Sequence, residues 1–164
     1  MAVSEVDLIT FVPNTETVNE DRQYFLNKER TIFTKVDSNL ERGSNEANLL
    51  KGIDHPYIQK YVNSRVENDH HYLETEYFVG KSLEECRESL KHEHKIVIQT
   101  QLLEVLAFMS LYQIKHNDIN VSNILFNGKH ILIIDWETAT TGNPLDDLFG
   151  EHDHQGILNT LRML

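Results

Sequence analysis

Short runs of β-prone residues dominate the first half of the chain, and polar or turn-forming residues bound most of them. The polar segment 27–30 separates two of these runs and predicts a β-hairpin. A helix is predicted between later runs, capped by Ser44 and ended near Gly52. The predicted strands are residues 7–12, 22–26, 31–36, 58–66 and 71–79.

Helical spacing replaces this pattern in the second half of the chain. A short helix is predicted from Ser82, and apolar residues recur along 95–113 on one broad helical face. Asn127-Gly128 lies between two apolar runs, which is typical of a tight β-hairpin. A last helix is predicted over residues 145–164. Most predicted strands therefore precede most predicted helices.

This segregation of strands and helices predicts an α+β fold rather than a doubly wound sheet. The pattern changes near residues 78–81, and we place a boundary there. The sequence thus predicts a β-rich part, residues 1–79, followed by a mainly helical part, residues 80–164.

Composition and charge narrow the classes of partner and compartment. A formal net charge of −11 favours cationic partners and repels the phosphates of nucleic acids and the headgroups of anionic lipids. No apolar run reaches the ~18 residues of a membrane span, and residues 1–7 lack the apolar core of a signal peptide. The single cysteine, Cys86, fits a reducing compartment. We therefore expect a cytoplasmic protein that binds neither membranes nor nucleic acid.

Ionisable and amide side chains are concentrated at both ends of the hairpin predicted around Asn127-Gly128. Asp118 and Asn123 lie five residues apart before it, and Asp135 follows it. A carboxylate and an amide on one tight loop can converge on a point to which the second carboxylate returns. Such oxygen ligands suit a hard cation that bridges substrate phosphates. The alternative is a polar loop in which both carboxylates only cap backbone groups.

The spacing His-x-Asp-x-x-x-x-Asn, then a hairpin, then Asp, resembles the catalytic and metal-binding segment of the protein-kinase superfamily. In this sequence it extends from His116 to Asp135. Two further stretches are similar to aminoglycoside phosphotransferases and choline kinases: Asp135-Trp136-Glu137, and Gly142-Asn143-Pro144-Leu145-Asp146-Asp147-Leu148. The resemblance implies a two-lobed fold with a β-rich N-lobe and a short, mainly helical C-lobe.

The same resemblance implies a role for each residue of the segment. Asp118 is implied as the catalytic base or the group that orients the acceptor hydroxyl, while Asn123 and Asp135 hold Mg²⁺. His116 is implied as a structural brace for the loop, and Asp147 as a structural anchor for the last helix. Trp136 is expected to pack in the core.

Lys35 lies near the end of the apolar strand predicted over residues 31–36, where a buried ammonium group needs a partner. Glu46 follows eleven residues later on the predicted helix, whereas the competing Glu41 precedes the predicted helix start. This pair resembles the strand lysine and helix glutamate of kinases. The resemblance implies that Lys35 contacts the phosphates of ATP and that Glu46 holds it in place. The alternative is two exposed surface charges.

Residues 73–83 resemble the kinase hinge, where the backbone passes the nucleotide edge before Gly80 permits a turn. The resemblance implies that the Glu76 carbonyl and the Phe78 amide bond adenine, and that Thr75 lines the back of the pocket. The alternative is an edge strand followed by a helix cap.

The loop that covers the ATP phosphates in kinases corresponds to residues 13–21, and no glycine precedes Gly43. Glycine normally lets backbone amides approach phosphate closely. In its absence, Thr15 and Thr17 are the hydroxyl donors expected to contact ATP, whereas nearby carboxylates repel it.

The resemblance implies an enzyme that uses ATP and Mg²⁺ to move the γ-phosphate to a hydroxyl of a small, cationic acceptor, such as choline, an aminoglycoside or a sugar. One alternative is a minimal protein Ser/Thr kinase with a protein substrate. Another is a pseudokinase that serves as a nucleotide-binding or regulatory module. The family's C-lobe has more helices than the residues after Asp135 can form, so a homodimer or a partner protein that completes this lobe is a further hypothesis.

Overall fold

The computed structural model describes residues 21–142 and 151–164. Several predictions lie outside these ranges: the strand at 7–12, the phosphate-covering loop with Thr15 and Thr17, and the predicted anchor Asp147. The first turns of the helix predicted over 145–164 also lie outside the described residues.

The chain divides into two compact units. Unit 1 contains the larger β-sheet, and unit 2 contains the longest helix, so the predicted α+β fold class is confirmed. Unit 1 comprises Met1–Asp54 and Lys60–Phe78, and unit 2 comprises His55–Gln59 and Val79–Leu164.

Unit 1 contains a four-stranded antiparallel sheet, in which the strands lie in the order first, second, fourth and third in sequence. The predicted hairpin is confirmed, because the first two strands pair and the Asn27 carbonyl oxygen Oδ1 accepts the amides of Thr31 and Ile32 at 2.8 Å. The strands are β1 (Arg22–Leu26), β2 (Ile32–Asp37), β3 (Tyr61–Glu67) and β4 (His70–Glu76).

Helix α1 (Leu40–Lys51) connects β2 with β3 and ends at Gly52, as predicted. Its predicted start at Ser44 is wrong, because Asn39 is the N-cap and its Oδ1 accepts the Arg42 amide at 3.0 Å. The first turn includes Gly43, a poor helix former, which conceals the helix start in the sequence. A Cβ at Gly43 would lie only 2.7 Å from the buried His71 side chain, so the packing explains this glycine.

A buried ion pair fixes the first turn of α1 to the end of β2. The Arg42 guanidinium donates two hydrogen bonds of 2.7 Å to the Asp37 carboxylate, which is 1% exposed. Burial favours a higher pKa for Asp37, but hydrogen bonds from Arg42 and the Asn39 amide, and the charges of Arg42 and Arg22, together lower its pKa. The carboxylate therefore stays ionised and holds α1 against the sheet.

The described part of unit 2 consists of helices and very short strands. The predicted hairpin around Asn127-Gly128 is confirmed, because the strands on either side of it, residues 124–126 and 131–133, pair directly. The elements are β5 (Lys81–Ser82), α2 (Leu83–Cys86), α3 (His92–Leu111), β6 (Ile114–Lys115), β7 (Ile124–Phe126), β8 (Ile131–Ile133), β9 (Thr140–Thr141) and α4 (Glu151–Met163).

Helix α3 is the centre of the unit 2 core. Four of its apolar side chains, Ile98, Leu102, Val105 and Met109, are almost completely buried. The neighbouring hairpin is tied to the same helix, because the Gln101 side chain donates to the Lys129 carbonyl and accepts the Ile131 amide. No helix among the described residues is both long and apolar enough to cross a membrane.

Residues 55–59 precede β3 in the sequence but group with unit 2. The reason is a pair of backbone hydrogen bonds to β8. The Ile133 amide donates to the Tyr57 carbonyl at 2.8 Å, and the Gln59 amide donates to the Ile133 carbonyl at 3.2 Å. These bonds hold the strand that leads into Asp135.

Candidate active site

The predicted catalytic loop, residues 116–123 and called the catalytic loop below, lies between β6 and β7 of unit 2. The Asn123 side-chain amide donates to the Asp118 carbonyl at 2.9 Å and to its carboxylate oxygen Oδ2 at 3.1 Å. The Asn120 side-chain amide donates to the other carboxylate oxygen, Oδ1, at 3.1 Å. The five-residue spacing therefore brings Asn123 onto Asp118, and each oxygen of this exposed carboxylate accepts one amide N–H.

Asp135 follows β8 and is connected to the catalytic loop through the preceding residue. The Ile134 amide donates to the Asn123 carbonyl at 3.0 Å. The Ile134 carbonyl accepts a bond of 2.9 Å from the His116 ring nitrogen Nε2. Asp135 itself has a φ of +64°, a left-handed conformation that Asp tolerates better than most side chains. Hydrogen bonds thus link Asp118, Asn123 and the residue next to Asp135 into one assembly.

The oxygen atoms of this assembly are the kind that Mg²⁺ prefers. Asn123 uses its amide N–H groups on Asp118, and no hydrogen bond within the described residues uses its oxygen Oδ1. Asp135 is half-buried and offers a carboxylate. The donor chemistry of Asn123 and Asp135 therefore fits the predicted metal site.

His116 is fully buried beneath the loop. Its Nδ1 accepts the Asp118 amide at 3.1 Å while Nε2 donates to the Ile134 carbonyl, an arrangement that requires the neutral tautomer protonated at Nε2. The edge of its ring meets Trp136 with 4.5 Å between ring centroids. Trp136 is fully buried and donates to the Ile133 carbonyl, so its predicted place in the core is confirmed.

Asp153 on α4 was not predicted as a site residue, although it supports the catalytic loop directly. Its carboxylate oxygens accept the backbone amides of His116 at 2.8 Å and Asn117 at 2.9 Å, and the residue is 2% exposed. The available signal was helical spacing, because Asp153, Ile157 and Thr160 recur on the buried face of α4. A carboxylate on a buried helical face needs donors from another element.

We expect Asp153→Asn to destabilise unit 2 by roughly 2 kcal/mol, because an amide can accept at one oxygen only and leaves one buried N–H without its acceptor. The measurement is urea unfolding followed by fluorescence of the buried Trp136. Asp69→Asn in the exposed turn between β3 and β4 is the matched control. Equal midpoints for both variants would contradict the proposed support by Asp153.

Unit 1 contains the predicted lysine–glutamate pair. Lys35 Nζ on β2 lies 2.9 Å from Glu46 Oε2 on α1, and both residues are buried. The alternative of two exposed charges is therefore wrong. Glu41 does lie in α1, contrary to the expectation that it precedes the helix, but Lys35 pairs with Glu46.

The predicted hinge, residues 73–83, begins within β4 and continues past its end at Glu76. Thr75 is 1% exposed, and backbone bonds from Glu76 to Lys60 and from Tyr77 to Thr31 hold the segment in place. In the described part of the chain, no hydrogen bond uses the Phe78 amide. That amide is therefore available for a ligand, while the adenine-binding roles stay predictions.

The family model described as "Protein kinase domain" matches residues 16–152, which include the lysine–glutamate pair and the catalytic loop. The chain belongs to the protein kinase domain family. Membership of this family explains why the two carboxylates, the asparagine and the buried histidine occur at these spacings in one chain.

Among the proteins similar to this protein kinase domain are three serine/threonine-protein kinases, two of which are described as probable. YbdM of Bacillus subtilis (strain 168) is 26% identical over 74% of this chain and 49% of its own length. The mkcE protein of Dictyostelium discoideum is 28% identical over 62% of this chain and 15% of its own. ULK3 of Rattus norvegicus is 31% identical over 62% of this chain and 23% of its own length. The chain thus spans about half of the Bacillus relative and less of the others.

Proposed function

We propose that this protein kinase domain transfers the γ-phosphate of ATP to a hydroxyl group of a protein substrate. The observation that carries the proposal is the hydrogen-bonded assembly of Asp118, Asn123 and the backbone before Asp135. It supplies a carboxylate for the acceptor hydroxyl and oxygen ligands for a cation. The similarity to serine/threonine-protein kinases favours a serine or threonine acceptor.

Each residue contributes to positioning or to electrostatic stabilisation in this proposal. The Asp118 carboxylate is held by two amide donors, orients the acceptor hydroxyl and accepts its proton. Asn123 and Asp135 would hold Mg²⁺, which when bound neutralises charge on the transferred phosphate. His116 braces both segments from below.

Unit 1 supplies the nucleotide-binding residues. Lys35 contacts the inner phosphates, and Glu46 holds the ammonium group by their 2.9 Å ion pair. Thr75 lines the adenine pocket, and the Glu76 carbonyl and the Phe78 amide bond the adenine edge. On the sequence pattern alone, we also assign phosphate contacts to Thr15 and Thr17, and an anchor role to Asp147.

A small-molecule acceptor is a second candidate, favoured by Asp135-Trp136-Glu137 and by the run that begins at Gly142. The net charge of −11 would suit a cationic acceptor of this kind. A pseudokinase is a third candidate, and the complete set of Lys35, Asp118, Asn123 and Asp135 argues against it. A cytoplasmic location and completion of unit 2 by a homodimer or partner protein stay predictions from sequence.

The test uses labelled ATP, Mg²⁺ and two panels of acceptors, one of proteins and serine- or threonine-containing peptides, the other of choline, aminoglycosides and sugars. We expect label on protein hydroxyls, and the Asp118→Asn variant measures the background. Label found only on small alcohols would replace the protein acceptor by the second candidate. Binding of Mg-ATP without transfer to either panel would favour the pseudokinase.

A further inference from the structure

Asn117 occupies the position that the His-x-Asp pattern leaves open. Its φ is +68°, in the left-handed region, which asparagine adopts at lower cost than most residues. Its backbone amide donates to the buried Asp153 carboxylate at 2.9 Å. The hydrogen bond to Asp153 on α4 therefore fixes the backbone of Asn117, and with it the position of the Asn117 Cα and Cβ atoms.

The side chain of Asn117 reaches the segment that follows Asp135. Its amide nitrogen Nδ2 donates to the Thr138 carbonyl at 2.9 Å and to the Thr140 hydroxyl oxygen at 3.0 Å. Asn117 is adjacent in sequence to Asp118, and Thr138 lies three residues after Asp135. One side chain thus connects the loop of the proposed base with the loop of a proposed metal ligand.

Further hydrogen bonds between uncharged groups hold the same segment. The Thr138 hydroxyl donates to the His116 carbonyl at 3.2 Å, and the Gly142 amide donates to the Gln113 carbonyl at 3.3 Å. Strand β9 pairs with β6 beside them. Thr138 and Thr140 are exposed, and the buried Ala139 offers only a methyl group, so burial contributes little. Hydrogen bonds therefore dominate the attachment of residues 138–142.

We propose that Asn117 is a positioning residue that fastens residues 138–142 to the catalytic loop and so fixes the separation between Asp118 and Asp135. The two hydrogen bonds of the Asn117 side chain join uncharged groups, so this contribution to the attachment depends little on ionic strength. The effect on the reaction rests on the proposed phosphotransferase function, whereas the effect on the segment does not.

Two substitutions separate the side chain from the backbone. Asn117→Asp keeps the tolerance for a left-handed φ but removes both N–H donors and sets a carboxylate oxygen against the Thr138 carbonyl. Asn117→Gly keeps the backbone conformation with no side chain. Asn68→Asp is the matched control, because Asn68 has a φ of +51° and lies in an exposed turn of unit 1.

The first measurement is hydrogen exchange followed by mass spectrometry, on peptides that cover residues 136–142. We expect the amides of Ala139 and Gly142 to exchange about tenfold faster in both Asn117 variants, as expected for the loss of one net hydrogen bond. Peptides from unit 1 should be unchanged, and Asn68→Asp should leave residues 136–142 at the wild-type rate. Wild-type protection of residues 136–142 in both Asn117 variants would overturn the proposal.

The second measurement is the steady-state rate of phosphoryl transfer. A positioning role predicts a kcat about tenfold lower with a KM for ATP within about twofold of wild type, because Asn117 has no proposed contact with the nucleotide. Faster exchange with an unchanged kcat would overturn the positioning role. If the wild-type chain transfers no phosphate, the proposed function fails, and the exchange data still decide whether Asn117 fastens the segment.

Discussion

Asp118→Asn is expected to lower phosphoryl transfer by about 10³-fold while leaving Mg-ATP affinity unchanged. The amide has the shape of the carboxylate and still accepts one of the two hydrogen bonds from Asn120 and Asn123. It cannot take the proton of the acceptor hydroxyl, and it lacks the negative charge that orients that hydroxyl. The two measurements are kcat with the preferred acceptor and the Kd of Mg-ATP by calorimetry.

Asp69→Asn provides the control for this substitution, because it makes the same chemical change in an exposed turn of unit 1. Both variants should bind Mg-ATP as the wild type does, and only Asp118→Asn should lose transfer. Transfer within about tenfold of wild type in Asp118→Asn would show that another group positions the acceptor, because general base removal normally costs more.

Asp135→Asn is expected to weaken Mg-ATP binding by at least about tenfold and to lower transfer as a consequence. The substitution removes the charged ligand of the proposed metal pair and leaves only neutral oxygens to compete with water for a strongly hydrated ion. Asparagine tolerates the φ of +64°, so the loop backbone should keep its conformation. Calorimetry with ATP, in the presence and absence of Mg²⁺, measures the effect.

The Kd of ATP measured without Mg²⁺ should be unaffected by Asp135→Asn, because the proposed contact of Asp135 is with the metal ion and not with ATP. Asp54→Asn changes an exposed carboxylate elsewhere and should leave both affinities at wild-type values. Identical Mg²⁺ dependence in wild type and Asp135→Asn would remove Asp135 from the metal site.

Local spacing explains why part of the candidate site could be predicted from the sequence. Asp118 and Asn123 are close in sequence, and a tight loop returns one to the other whatever the rest of the fold does. The hairpin at Asn127-Gly128 then returns the chain, because this dipeptide favours the required turn. These two local features together predict that Asp135 lies near the loop, so no long-range information is needed to connect them.

Asp153 could not be found in this way, because it lies 37 residues from His116 and supports the loop only through tertiary packing. Its neighbouring histidines in the sequence are exposed and give no indication of a buried carboxylate. Asn117 was overlooked for a different reason. The motif assigns no role to its position, and its contacts with Thr138 and Thr140 appear only when the two loops are folded together.

The strands of unit 1 could be predicted because each is long enough to form a recognisable run of β-prone residues. The strands β5, β6 and β9 have two residues each and are too short to form such a run. The start of α1 was misplaced because Gly43 interrupts the helical pattern that Asn39 caps. The predicted helix start after Ser44 also leaves Arg42 outside the helix, so the sequence did not indicate the Asp37–Arg42 ion pair.

Calorimetric titration of the wild-type chain with ATP, with and without Mg²⁺, tests directly whether Asn123 and Asp135 bind the metal ion that accompanies the nucleotide. We expect saturable binding of one ATP that tightens at least about tenfold when Mg²⁺ is present, because Asn123 and Asp135 would hold the ion and the ion would neutralise charge on the phosphates. No binding of ATP, or binding with the same affinity in both conditions, would contradict the proposed site.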